Sequence, residues 1–381
     1  MNLMFVMGTR PEAIKLAPVI LEARNKGINC QLVETGQHDY IVEQTLEEFG
    51  IEGITNINKT SCGNQTLSYS VGHMLEELSD ALSFGSIHLP DVCIVQGDTS
   101  STLVGALWAF YNKVPVAHVE AGLRSGNMYS PFPEEINRKL VSRIATYNFC
   151  PTSDNLIALF NEGVSKTSCY LVGNTIIDAI DMVLDPNHQF KDDRVNKLLK
   201  RNKVITMTMH RRENWELMED IFTSINEVVH DYEDVKVIFP VNLNPYIMDK
   251  AHKIFGENNN VLLLNPLSYP DFANLISRSY FLVTDSGGIQ EEACYVGKKT
   301  LVLRRETERR EGVLAGVCSM VGVSPKDIKN TIRKSLFEDC SLKAFKSKDV
   351  YGDGHASERI IGILNSKDRR DIYAYRWCKD F

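Results

Sequence analysis

Short apolar runs punctuate the chain: "LMFVMG", "CQLVETG", "DVCIVQGD", "VPVAHVEAG", "YNFCPTS" and "CYLVGN" in the first half. A second series follows with "VITMTMH", "VKVIFPV", "VLLLNPL", "YFLVTDSGG", "TLVLRR" and "SMVG". These runs are apolar throughout instead of alternating, as a parallel strand covered on both faces requires. The intervals are helix-length, as at 218–230 and 271–278. Strand alternating with helix predicts an α/β fold of two doubly wound domains, separated by the polar stretch 185–203, "DPNHQFKDDRVNKLLKRNK". No low-complexity segment or short-period repeat interrupts them. Ligands of open parallel sheets bind beyond the carboxyl ends of the strands, so two such domains facing each other are expected to form a cleft there.

Composition narrows the class of ligand. The 381 residues are 43% apolar and 24% charged, enough for sizeable cores. A net charge of -7 without a compensating basic block argues against a nucleic-acid partner, so an anionic ligand has to be met locally. Nine cysteines are scattered without a CxxC pair, several inside apolar runs, and read as buried hydrophobes in a reducing compartment. Their spacing suggests neither a disulfide framework nor a structural metal. The start, "MNLMFVMGTRPEAIK", is apolar for only seven residues, and no apolar run approaches the roughly 18 needed to span a bilayer. A cytoplasmic protein without a membrane partner is the expectation.

Candidate chemistry gathers at strand ends. After the first run, Gly8 permits a tight turn, Pro11 starts a helix, and the helix amides with Arg10 and Lys15 offer an anion site. The spacing fits neither a Walker A loop nor GxGxxG. Asp98 in "GDTSST" is a candidate acid or a helix N-cap, and Glu120 in "HVEAGLR" either faces a ligand or pairs with Arg124. Glu134 and Glu135 follow "SPFP"; there they are either first-turn helix carboxylates, paired with Arg138 and Lys139, or part of a site. His210, Arg211 and Arg212 in "MTMHRREN" could hold a diphosphate. Ser286, Gly287 and Gly288 precede a helix as a second phosphate-cradling turn, and Glu292 one turn on could accept from sugar hydroxyls.

Taken in order, "GTRPEAIKLAP", "GDTSST", "HVEAGLRSG", "YSPFPEEINR", "GNTIIDA", "HRREN", "TDSGGIQEEA" and "TERREG" resemble the bacterial non-hydrolysing UDP-N-acetylglucosamine 2-epimerases from residue 3 to about 360. The resemblance implies a GT-B fold of two Rossmann-like domains with substrate in the interdomain cleft. They would span 1–180 and 181–355, with 356–381 packing back on the first. It further implies anti elimination of UDP across C1 and C2 to 2-acetamidoglucal, then re-addition to the other face, with no cofactor. Asp98, Glu120 and Glu134 match the family's acidic positions, and His210 with Arg10 would stabilise the departing diphosphate. Ser286, Gly287 and Gly288 would meet phosphate, Glu292 the ribose and Phe272 the uracil, while Lys15 and Arg309 would add positive charge. The expected partner is a UDP-N-acetylhexosamine, the expected assembly a homodimer, and the expected pathway cell-surface polysaccharide biosynthesis.

The chain also departs from the family pattern. Arg310 stands where proline is usual, and Trp215 follows "HRREN" where a small residue is common; both could reshape the sugar pocket. Many relatives hold a second, regulatory UDP-N-acetylglucosamine. Gln37, His38 and Gln65 remain here, but Asp39 replaces a basic residue of that site, Tyr40 a polar one, Asn64 an arginine and Asn242 a histidine, so little or no allosteric activation is expected. Other readings are a hydrolysing epimerase, a GT-B glycosyltransferase and a non-catalytic nucleotide-sugar sensor.

Overall fold

The computed structural model describes residues 1–36, 41–57, 66–338 and 350–366. The chain divides into two units, Met1–Ala179 with Gly352–Phe381, and Ile180–Tyr351. The first is built on seven parallel strands: β1 (Asn2–Met7), β2 (Asn29–Glu34), β3 (Ile54–Asn56), β4 (Val92–Gln96), β5 (Val116–Val119), β6 (Tyr147–Cys150) and β7 (Cys169–Leu171). Their order is β3-β2-β1-β4-β5-β6-β7, and at the centre Val6 lies opposite both Val33 and Val95.

The central strand shows why an uninterrupted apolar run is needed. Leu3, Phe5 and Met7 point into one core with Leu16 and Ile20, whereas Met4 and Val6 point into another with Val104 and Trp108. Alternate side chains thus meet helices on opposite faces of the sheet. Ile360, Ile361 and Leu364 of the helix Ala356–Asn365 complete the first of these cores. Asp178 fixes that helix by accepting from the amides of Ala356 (3.2 Å) and Ser357 (2.7 Å) and from the Ser357 hydroxyl (2.5 Å). Residues 367–381 of the expected packing segment lie outside the described residues.

The second unit has six parallel strands: β8 (Lys203–Thr208), β9 (Val235–Pro240), β10 (Val261–Leu264), β11 (Phe281–Thr284), β12 (Thr300–Val302) and β13 (Cys318–Met320). Their order is β10-β9-β8-β11-β12-β13. The polar stretch 185–203 lies inside this unit and does not separate the two. It carries the helix Asp193–Arg201, with Phe190 and Val195 buried against Val204, Ile238 and Leu275. Arg278 ties the stretch down by donating to the carbonyls of Asp185, Pro186 and His188. Enough apolar side chains are interleaved among the charges to make a packed face.

Each strand order reverses once, between β1 and β4 and between β8 and β11. At such switch points the loops leave in opposite directions and open a crevice at the strand ends. The loops concerned contain Gly8, just ahead of Arg10 at the start of its helix, and Asp98 in the first unit, and His210 and Ser286 in the second. Of the nine cysteines, Cys30, Cys93, Cys150, Cys169, Cys294 and Cys318 are free thiols, all buried except the half-buried Cys30; Cys62, Cys340 and Cys378 lie outside the described residues. Among the described residues no helix is long and apolar enough to cross a membrane.

Candidate active site

At the first switch point the chain supplies its own anion. Glu12, in the first turn of the helix Arg10–Asn25, is buried and accepts from the Gly8 amide (3.0 Å) and the Thr9 hydroxyl (2.8 Å). Its other oxygen accepts from the hydroxyls of Thr99 (2.6 Å) and Thr102 (3.0 Å), so one carboxylate joins the loops after β1 and β4. Burial raises its pKa despite these bonds. Sequence reading missed Glu12 because the partners that join it to the second loop, Thr99 and Thr102, lie 87 and 90 residues away. Gly8 is needed for close approach: a Cβ there would stand 2.1 Å from Ser101 Oγ and 2.4 Å from Thr35 Oγ1.

Lys15, one turn further along the helix, reaches the end of β5 and forms a buried ion pair with Glu120. Gln96 donates to the same Glu120 oxygen at 2.5 Å. Glu120 has φ of +68°, a left-handed conformation that non-glycine residues adopt at a cost of about 1–3 kcal/mol. The surrounding contacts hold it there. Arg124 is not its partner: that guanidinium makes two 2.8 Å bonds to Glu162.

Asp98 and Glu135 share one buried arginine. Arg138 donates from Nε to Asp98 (2.8 Å), contacts it again from Nη2 (2.6 Å), and reaches Glu135 at 3.1 Å. Asp98 is therefore not the N-cap of the next helix; Thr99 is, accepting from the Thr102 amide. The adjacent glutamates divide their work. Glu135 is fully buried and accepts from the amides of Ser125 (2.9 Å) and Gly126 (3.3 Å), whereas Glu134 is half-buried at the start of the helix Glu134–Ile144. This replaces the exposed-helix reading, since Arg138 is 4% exposed and Lys139 comes only within 4.0 Å of Glu135. Asn137 donates to the Asp98 carbonyl, and His118 contacts the Gly97 carbonyl at 2.7 Å. Burial, reinforced by Arg124, lowers the His118 pKa to about 4, so the ring is neutral.

The second unit repeats the device with Asp285, which sequence reading also missed. This fully buried residue, just after β11, accepts from the amides of His210 (3.1 Å) and Arg211 (3.0 Å) and from Asn214 Nδ2 (3.2 Å). The spacing within "HRREN" thus serves a single carboxylate across the switch point. Ser286 caps the helix Gly287–Val296 through its backbone, its side chain making no capping bond. Gly288 is open, while a Cβ at Gly287 would come within 3.1 Å of the Arg309 guanidinium. Glu292 is buried in that helix. Phe272 sits half-buried on another helix, Tyr269–Arg278.

Arg309 is already committed, at 3.0 Å to Glu291 and 2.6 Å to Glu308. Glu308 also meets Arg304 at 2.9 Å and Arg211 at 3.5 Å. Burial alone would raise its pKa, but the three guanidiniums hold it well below the carboxylate range. His210 is held below its ordinary pKa, chiefly by desolvation and further by Arg211 and Arg304, with Asp285 opposing.

Trp215 packs against its own unit: its ring stacks on Tyr246 at 5.1 Å, and the Tyr246 hydroxyl donates to its carbonyl. Arg310 is exposed at the start of the short helix Arg310–Leu314. Of the expected regulatory positions, Asn242 is exposed and accepts from the Asn244 amide. Gln37, His38, Asp39, Tyr40, Asn64 and Gln65 lie outside the described residues.

Residues 21–365 match the family model of UDP-N-acetylglucosamine 2-epimerase. The UDP-N-acetylglucosamine 2-epimerase of Bacillus subtilis is 41% identical over 367 residues, covering 96% of this chain and 95% of that protein. A UDP complex of S. aureus MnaA superposes with a TM-score of 0.87 at 36% identity, covering 100% of this chain and 99% of that one. The Neisseria meningitidis UDP-GlcNAc 2-epimerase, solved with UDP-GlcNAc bound, gives a TM-score of 0.84 at 36% identity over 96% of this chain and 99% of its own. The two doubly wound α/β units are those of the GT-B fold.

Proposed function

Because this chain belongs to the UDP-N-acetylglucosamine 2-epimerase family, we propose that it interconverts UDP-N-acetylglucosamine and UDP-N-acetylmannosamine without hydrolysis. In the forward step the C2 proton is removed, the C1–C2 double bond forms and the C1–O bond breaks, leaving 2-acetamidoglucal and UDP. In the return step a diphosphate oxygen attacks C1 and a proton is delivered to the opposite face of C2. No electrons pass to a cofactor.

The observation that supports this reading most strongly is Glu120. A carboxylate held at φ +68° between Lys15 and Gln96 is maintained against backbone cost, as reactive groups are. A C2 proton is weakly acidic and its exchange on two faces needs more than one positioned acid or base, so Glu120 shares the work with Asp98 and Glu134. Lys15 acts here through Glu120, holding its carboxylate in place, and Arg138 does the same for Asp98.

His210 and Arg10 meet the charge that develops on the departing diphosphate. The Ser286 hydroxyl and the amides at Gly287 and Gly288 hold phosphate oxygens at the helix start, Glu292 accepts from ribose hydroxyls, and Phe272 lies against uracil. Arg309, paired with Glu291 and Glu308, supports the glycine turn from below. UDP bound to the S. aureus relative and UDP-GlcNAc bound to the N. meningitidis relative favour this class of ligand.

Chromatography of UDP-N-acetylglucosamine incubated with the protein alone tests the reading. UDP-N-acetylmannosamine should accumulate to an equilibrium mixture. A requirement for a sugar acceptor would instead indicate a glycosyltransferase.

A further inference from the structure

Asp285 is a heavily engaged carboxylate of the second unit, and nothing in the elimination chemistry requires it to touch substrate. It is fully buried, it takes the amides of His210 and Arg211 and the side chain of Asn214, and its Oδ1 lies 3.6 Å from His210 Nδ1. That last contact is too long for a hydrogen bond and is electrostatic. The imidazole is 43% exposed, so one ring nitrogen faces the carboxylate while much of the ring surface is open.

We propose that Asp285 is the positioning residue of His210, forming with it a histidine–carboxylate dyad that fixes the imidazole tautomer and favours the imidazolium when the diphosphate carries its developing charge. This rests on the reading that His210 meets the diphosphate.

The physical case is a balance of charges. Partial desolvation of the ring, then Arg211 on the same loop and Arg304 just after β12, disfavour a second cation at His210. Glu308 offsets both arginines and Glu213 offsets Arg304, but both acids are committed to those partners. Asp285 is the carboxylate that contacts His210 itself among the described residues of this unit. It also locks the loop: Asn214 Nδ2 reaches Asp285 and the Leu303 carbonyl (3.1 Å), and Thr284 bonds the hydroxyl of Thr208 at 2.7 Å. The ring is thereby held at Cα while the charge acts at Nδ1. The tautomer that carries its proton on Nδ1, facing Asp285, leaves Nε2 as an acceptor that can take up a proton and donate it to a phosphate oxygen.

The test is titration of the full-length protein by nitrogen NMR with ring-labelled histidine. In the unaltered protein the neutral His210 should carry its proton on Nδ1; a neutral form protonated mainly on Nε2 would overturn the proposal without any variant. Asp285→Asn keeps the shape and removes the charge. It should lower the His210 pKa by about one unit and cut turnover about tenfold or more, with the limb of the pH–rate profile that reports His210 moving the same way. Asn214→Ala should loosen the loop and leave the ring pKa in place. Equal ring pKa values in the two variants would make Asp285 merely structural. Because the titration is read without substrate, it stands apart from the assignment of the reaction.

Discussion

Lys15 and Glu120 form a buried ion pair that joins the first turns of the first helix to the end of β5. Removing either partner should have a different signature. Glu120→Gln should lower turnover by about 100-fold or more while sparing UDP affinity, the usual loss when a general acid or base is removed. Lys15→Met should leave the carboxylate buried without its cation and lower stability by about 3–5 kcal/mol, read by urea denaturation. Steady-state kinetics with UDP titrations distinguish the two. Normal turnover per bound substrate in Glu120→Gln would make that acid structural.

Asp98→Asn and Glu134→Gln should also cost about 100-fold each in turnover at little cost in binding. Arg138→Met should instead unfold the site. Glu135 would be left buried without its cation, an arrangement that costs about 3–5 kcal/mol, and Asp98 would lose its anchor. Urea denaturation checks this. A stability within error of the parent would show that the amides of Ser125 and Gly126 suffice for Glu135.

The neutral, buried His118 makes stability pH-dependent. Its pKa falls from the ordinary 6.5 to about 4, so below 6.5 the unfolded chain binds a proton that the folded one refuses. This contribution to stability is therefore complete above 6.5, declines as pH falls, and is lost by about 4. The full swing is at most about 3 kcal/mol. In His118→Gln the slope of unfolding free energy between those limits should flatten. An unchanged slope would assign the acid sensitivity to other groups.

Regulation gives a kinetic prediction. Losing cationic donors at Asn64 and Asn242 and gaining a carboxylate at Asp39 should weaken a second nucleotide-sugar site by about 1.5–3 kcal/mol per lost contact. UDP-N-acetylmannosamine alone should then be epimerised without a lag. A strong lag abolished by a trace of the gluco epimer would contradict this.

The strand pattern carried most of the fold because a strand buried on both faces leaves no alternation to confuse it, as at Leu3–Met7. β3 escaped detection: three residues at the sheet edge, none fully buried, leave no apolar signature. The site was visible as motifs, yet its internal wiring was not. Glu134 and Glu135 look alike in sequence, and only the chain path of 125–126 decides which is buried. Glu12 and Asp285 sit inside quoted motifs, but the bonds by which they join separate loops span about 70 to 90 residues, which no local spacing reveals. Lys15 and Arg309 are expected to add positive charge, and sequence does not reveal that both are paired with glutamates, Lys15 with Glu120 and Arg309 with Glu291 and Glu308.

The central claim is epimerisation at C2 by elimination and re-addition, and proton NMR of the reaction in D2O addresses it most directly. The account predicts deuterium at C2 of both UDP-N-acetylglucosamine and UDP-N-acetylmannosamine, with UDP still attached to the sugar at equilibrium. Stoichiometric free N-acetylmannosamine and UDP, or epimerisation that keeps the C2 proton, would contradict it.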